Sequence, residues 1–260
     1  MKYIDSHCHI NDEAFLGHEE EYVLNAKNKG VDILICVGYD YESSLKAIEI
    51  ANRFDDVYAA IGIIPNEVKK AKPNDLELIK ELAKNEKVVA IGEIGLDYHY
   101  ENDDETKLIQ KEYLLKQIEL ANSLNLPVVI HSRDADYDCF EILKNNTPIK
   151  KGVMHCYSGS KELAKEYNKL GFYISLAGPV TFKNAKTPKE VATFIDLNYL
   201  LVETDSPYLT PHPYRGQRNE SSYIPLIVEE IARLKEISVE EAATSIRNNL
   251  MKLFNIKYER

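Results

Sequence analysis

Six residues spread along this 260-residue chain are of the types that hold and use metal ions, and each lies at the end of a short apolar run. His7 and His9 are two apart, so extended backbone turns both imidazoles to one side, where they can clasp one cation. Glu93 stands in Ala90-Ile91-Gly92-Glu93-Ile94-Gly95, where a carboxylate is costly unless paired or metal-bound, and its two oxygens suit it to bridge two ions. His131 closes Pro127-Val128-Val129-Ile130-His131, and His155 closes Gly152-Val153-Met154-His155. Asp205 follows Leu200-Leu201-Val202-Glu203-Thr204. The expected division puts His7, His9, Glu93 and Asp205 on one ion, and Glu93, His131 and His155 on another. Such a pair can clamp the attacking and leaving oxygens of a hydrolytic displacement, with Asp205 also placed to take a proton from the attacking water. The mixed nitrogen and oxygen donors suit Mg, Mn, Zn, Co or Ni.

Residues so far apart in sequence form one site only if the fold brings the ends of their strands together. The runs Tyr3 to His7, Ile33 to Gly38, Val57 to Ile63, Val88 to Ile94, Val128 to His131, Gly152 to His155, Phe172 to Leu176 and Leu200 to Glu203 are continuous rather than alternating, as buried parallel strands are. Helical segments separate them. Thr106 to Leu124 carries Ile109, Tyr113, Leu114, Gln117 and Leu120 near one face, Asn74 and Ser160 are caps for Asp75 to Leu82 and Lys161 to Leu170, and Ser238 with Glu241 makes a capping box. Eight such units predict an α/β fold, a single-domain (β/α)8 TIM barrel over residues 1–260, whose C-terminal strand ends share one face. A doubly wound open sheet would need a nucleotide fingerprint, and no glycine cluster here fits GxGxxG.

Composition narrows the function. A net charge of −10 argues against a broad basic surface for long duplex nucleic acid and favours a short or end-bound substrate, drawn in by cations in the pocket. The start, MKYIDSHCHI, lacks a signal-peptide apolar region, and no apolar run approaches the roughly 20 residues of a membrane span, so a cytoplasmic protein without membrane contact is expected. No obligate protein partner is evident. Cys8, Cys36, Cys139 and Cys156 show no CxxC spacing and read as reduced, buried thiols. Cys8 and Cys156 adjoin proposed ligands, but strand alternation turns neighbours to opposite faces, so packing is the expectation.

The words around these residues carry a resemblance across nearly the whole chain: Asp5-Ser6-His7-Cys8-His9, Gly92-Glu93-Ile94-Gly95-Leu96-Asp97-Tyr98, Ile130-His131-Ser132-Arg133, His155-Cys156-Tyr157-Ser158-Gly159, Glu203-Thr204-Asp205-Ser206-Pro207-Tyr208-Leu209 and Arg215-Gly216-Gln217-Arg218-Asn219-Glu220. Together they resemble the TatD-like metal-dependent deoxyribonucleases of the amidohydrolase superfamily. The resemblance implies a TIM barrel with one or two divalent ions, cleavage of phosphodiester bonds in DNA, exonucleolytic action on single-stranded ends, and His7, His9, Glu93, His131, His155 and Asp205 as ligands. One departure stands out: where the family commonly has Gly-x-His-Pro after the third strand, this chain has Gly62-Ile63-Ile64-Pro65.

Arg215 and Arg218, in a loop after Asp205, and Arg133, just beyond His131, are candidates to hold substrate phosphate. Tyr98, Tyr157 and Tyr208 adjoin motif residues and could stack unpaired bases. The rival readings are a hydrolase of a small ester, lactone or amide, and a metal-binding protein without catalysis. A glutamate rather than a carboxylated lysine on the fourth strand, the arginine loop and the complete ligand set favour the nuclease reading.

Overall fold

A computed structural model of the chain describes residues 1–100 and 102–257. Its strands are β1 (Tyr3–Cys8), β2 (Val31–Val37), β3 (Val57–Ile61), β4 (Val88–Asp97), β5 (Val128–Arg133), β6 (Gly152–Met154), β7 (Tyr173–Leu176) and β8 (Leu200–Val202). They form one eight-stranded sheet in sequence order, each neighbouring pair parallel. Helices alternate with them: α1 (Glu19–Asn28), α2 (Tyr41–Arg53), α3 (Asp75–Leu82), α4 (Asp104–Leu124), α5 (Asp136–Asn145), α6 (Lys161–Lys169), α7 (Lys186–Phe194), α8 (Ile224–Lys235) and α9 (Val239–Leu253). This is the single-domain TIM barrel that the sequence predicts. Ile33 to Val37 are all fully buried, because a barrel strand faces side chains inside and helices outside.

The barrel meets itself at the site end. There Asp205 N–H donates to the His7 carbonyl and His9 N–H to the Ser206 carbonyl, each at 2.9 Å. The buried Asp5 carboxylate accepts from Thr204 N–H at 2.9 Å and its hydroxyl at 2.5 Å, tying β1 to the end of β8. Burial pushes the Asp5 carboxyl up to about 7, and those Thr204 bonds only partly restrain it.

Helix starts follow side-chain chemistry. Asp40 and Ser43 cap α2 reciprocally, and Asp103, Ser160 and Ser238 each accept a hydrogen bond from the first turn of their helices. Two expectations change. Asn74 makes no capping bond, since Asp75 instead accepts from Lys72 N–H at 2.7 Å, and at Ser238 only the forward half of the box forms. The buried stripe of α4 is also turned from the predicted one: it runs through Thr106, Gln110, Leu114, Gln117, Ile118 and Ala121. Its two glutamines are buried because each closes a pair of backbone bonds. Gln110 bonds the N–H and carbonyl of Asp97, both at 2.9 Å, and Gln117 those of Ile63 at 2.8 and 3.0 Å. One helix thereby fixes the site ends of two neighbouring strands.

Candidate metal centre

β4 is longer than its apolar run suggests and delivers two carboxylates, Glu93 and Asp97, both buried. It packs closely on β5. A Cβ on Gly95 (φ +152°) would lie 1.9 Å from the His131 carbonyl oxygen, so only glycine lets the strands meet there. His155 lies one residue past β6, and Asp205 three past β8 in the left-handed region (φ 54°), a conformation that Asp tolerates better than most residues.

All six proposed ligands converge. Oε1 of Glu93 lies 2.9 Å from His131 Nδ1 and 2.9 Å from His155 Nε2. Its Oε2 faces the other side, 3.4 Å from His7 Nε2 and 3.9 Å from His9 Nε2. Asp205 Oδ1 is 3.4 Å from His9 Nε2 and 3.7 Å from His7 Nε2. Donor atoms of His7, His9 and Asp205 all lie within 4.8 Å of one another, as do those of His7, Glu93 and His155. His7 thus stands between the two halves instead of belonging to one, and its ring stacks on that of His155 with centroids 4.0 Å apart.

The outward ring nitrogens set the tautomers. His9 Nδ1 is 2.9 Å from the Val37 carbonyl, which only accepts, so that nitrogen carries the hydrogen and Nε2 turns a lone pair inward. His131 Nε2 is 3.0 Å from Asp97 Oδ2, and His155 Nδ1 is 3.2 Å from Glu203 Oε1, which leaves Nδ1 and Nε2 respectively facing Glu93. Three of the four imidazoles therefore turn acceptors inward, while Nδ1 of His7 is buried without a hydrogen-bond partner, so no outward bond sets its tautomer. Two pairs of inward nitrogens, His7 Nε2 with His9 Nε2 and His131 Nδ1 with His155 Nε2, are only 3.2 Å apart. Lone pairs cannot be so gathered without protons or cations between them, and the donor set fits divalent ions.

Electrostatics agree. Burial opposes ionisation of Glu93, yet His155, His131 and His7 hold its carboxyl well below the usual range. Asp205 is likewise held low against burial by His9, His155 and His7. His155 sits well above its ordinary value because the Glu93 and Glu203 carboxylates outweigh burial, whereas burial and the neighbouring His155 push His7 down.

Beside this cluster, a cavity of about 550 Å³ is lined by His131, His155, Asp205, Arg133, Tyr100 and Tyr208, with Leu176, Pro179 and Val180 on its apolar wall. A larger one of about 870 Å³ opens at the opposite end of the barrel, among Val88, Lys151 and Phe254, and holds none of the six residues. Three of the six residues line the smaller one, at the C-terminal strand ends, the face on which barrel enzymes carry their sites.

The chain belongs to the TatD-related DNase family. That family's profile matches residues 4–255. An uncharacterised metal-dependent hydrolase of Bacillus subtilis, YabD, is 48% identical over 97% of this chain and 98% of its own. Its counterpart YcfH from Escherichia coli K12 is 36% identical over 100% of this chain and 98% of its own. The crystal structure of YJJV, a TatD homologue from E. coli K12, superposes with a TM-score of 0.92 at 31% identity, covering 98% of both chains. The protein is a metal-dependent hydrolase of the TatD family, and among its described residues no helix is long and apolar enough to cross a membrane.

Around the TatD-family centre, other expectations fare unevenly. Arg133 lines the cavity, its guanidinium 5.1 Å from the Tyr100 ring. Arg215 instead stacks on Phe182 at 4.0 Å, and Arg218 donates to the Ala14 carbonyl at 2.5 Å and to the Tyr22 hydroxyl, packing against Phe15. Of the three tyrosines only Tyr208 is exposed at the mouth. Tyr98 donates to Asp138 and the buried Tyr157 to the Ser160 carbonyl. Cys8 is buried and donates to the Ile35 carbonyl, but Cys156 is half-buried and lines the cavity, so it is not the buried thiol expected; neither joins the donor cluster. Asp97, Glu203 and Tyr100 are site residues that motif reasoning left without a role. The spacing of Asp97 four after Glu93, and of Glu203 two before Asp205, was the available signal.

Proposed function

We propose that this TatD-family hydrolase cleaves phosphodiester bonds in DNA, removing nucleotides from single-stranded ends, with one or two divalent ions as cofactor. The observation that carries this reading is the two-sided use of Glu93, whose oxygens address different histidine groups beside a cavity holding Arg133. His7, His9, Glu93, His131, His155 and Asp205 would hold the metal. The ions would supply Lewis-acid polarisation of the phosphoryl group and a water acidified enough to attack it.

The side chains do the rest. Asp205, held ionised and part of the cavity wall, takes the proton of the attacking water. Asp97 and Glu203 fix the rings of His131 and His155 from behind. Arg133 holds the phosphate bidentately, with Arg215 a second contact reached by loop movement; Arg218 would have to leave Ala14 and Tyr22 to join them. Tyr208 and Tyr100 offer exposed ring faces to unpaired bases. We place this activity in the cytoplasm, on residues 1–260 as one hydrolase domain without an obligate protein partner.

The apolar wall of Leu176, Pro179 and Val180 favours a second reading, hydrolysis of a small ester, lactone or amide. The test is an end-labelled single-stranded oligonucleotide incubated with metal-stripped protein, to which Mg, Mn, Co and Zn are restored separately, beside Asp205→Asn. Stepwise shortening lost in the variant supports the nuclease. Absence of cleavage with every metal, alongside turnover of aryl esters or lactones, selects the second reading.

A further inference from the structure

The centre has a second, smaller chamber on its other side. About 260 Å³ in volume, it is lined by His9, Asp12, Tyr39, Ile64, Glu67, Glu93 and Tyr208, so Tyr208 is the partition between it and the 550 Å³ cavity. The two differ in charge. The larger holds Arg133; the smaller holds Asp12 and Glu67 with no cation in its lining and the apolar Ile64 across from them. Asp12 is fixed there: Oδ1 accepts from Ala14 N–H at 2.8 Å and Oδ2 from the Tyr208 hydroxyl at 3.4 Å. Glu67 points one oxygen at Lys70, 2.8 Å away and outside the chamber lining.

Resting on the nuclease reading, we propose that the small chamber receives the terminal nucleoside of the strand and that Asp12 and Glu67 reject a phosphate on that terminus. At about 260 Å³ the chamber is smaller than the roughly 300–1,000 Å³ of sites for drug-sized ligands, a size suited to one nucleoside. On the side of the chamber away from His9 and Glu93, a terminal phosphate would meet the Asp12 and Glu67 carboxylates with no compensating donor from Ile64, a like-charge contact. The rest of the strand lies in the larger cavity, where Arg133 accommodates its phosphates. Hydrolysis of the P–O bond on the strand side adds the hydroxyl of water to phosphorus and its proton to the departing oxygen of the strand. A mononucleotide leaves, the new strand end is a hydroxyl, and the selection repeats at each cycle.

The experiment compares dithymidylate bearing free hydroxyls at both ends with its 5′-phosphorylated and 3′-phosphorylated forms, using protein loaded with the metal that supports turnover. A phosphate at one end, and only that end, should slow cleavage by at least about tenfold. Titration calorimetry on the Asp205→Asn protein should rank the three dinucleotides in the same order. The Asp12→Asn, Glu67→Gln double variant, checked for an unchanged circular dichroism spectrum, should bring the ratio to within about threefold of unity. Equal cleavage of all three forms, equal slowing by a phosphate at either end, or a ratio that survives the double variant would each overturn the assignment while leaving the nuclease intact. Failure to cleave any form, with every metal, overturns the nuclease reading and this inference with it.

Discussion

Gln110→Leu separates support of the metal centre from support of the fold. The Gln110 amide is 1% exposed and bonds both the N–H and the carbonyl of Asp97 at 2.9 Å. Leucine nearly matches its volume but leaves two backbone groups without partners and away from water. Each orphan costs about 1–3 kcal/mol, and the added apolar burial returns about 1, for a net loss of about 1–5 kcal/mol in unfolding free energy. Gln117→Leu is the matched control, removing equivalent bonds to Ile63, so its stability loss should be similar. Only Gln110 stands behind a proposed ligand, because Asp97 Oδ2 holds His131 Nε2 at 3.0 Å. Gln110→Leu should therefore also weaken zinc binding by about tenfold, the scale of outer support around metal ligands. Gln117→Leu should not. Urea unfolding of metal-stripped protein reads the first quantity, and chelator competition reads the second. Equal zinc affinity in the two variants would refute the chain of support from α4 through Asp97 to His131.

Asp205→Asn should retain the fold and lower turnover by at least about 100-fold, the lower bound for loss of a general base; stopped-time hydrolysis beside a circular dichroism spectrum checks both, and turnover within tenfold of wild type would remove Asp205 from proton transfer. Gly95→Ala places a Cβ 1.9 Å from the His131 carbonyl at φ +152° and should cost at least about 3 kcal/mol or prevent soluble expression. An unchanged thermal transition would show that β4 and β5 can separate there freely. The Asp5 carboxyl, raised from 3.8 to about 7, holds its proton more tightly folded than unfolded. Its contribution is thus fully favourable below about 4, declines as pH rises toward 7 and is flat beyond, by up to about 4 kcal/mol. Asp5→Asn should remove that component, so the urea midpoint of metal-stripped variant minus that of wild type should rise between pH 4.5 and pH 7.5; a flat difference would contradict the burial effect.

The strands, and the residues that converge at the barrel mouth, were legible because parallel barrel strands are continuous apolar runs, and a polar residue ending such a run has few other destinations. The face of α4 was legible only in part: Leu114 and Gln117 lie on it as expected, but hydropathy assigns Gln110 to solvent, while its amide, like that of Gln117, closes backbone hydrogen bonds of a strand end inside. Asp97 and Glu203 were visible as carboxylates, but no spacing tells which imidazole nitrogen a carboxylate faces. Arg218 lies in a motif, yet its partners Ala14 and Tyr22 are about 200 residues away, a pairing set by how the chain returns to its start. The capping serines were readable since their bonds are local; Asn74 failed because Asp75, next along, competes for the same turn.

The seam between β8 and β1 bears on how such a centre acquires its ion during synthesis. The chain leaves the ribosome N-terminus first, so His7, His9, Glu93, His131 and His155 are all made before Asp205. The bonds from Asp205 to His7 and from His9 to Ser206 form only when that late segment docks. Closing the barrel and completing the donor set are one event. A cation met earlier would find only part of the proposed donor set, which would leave the final choice to the finished protein and to the supply of free metal around it.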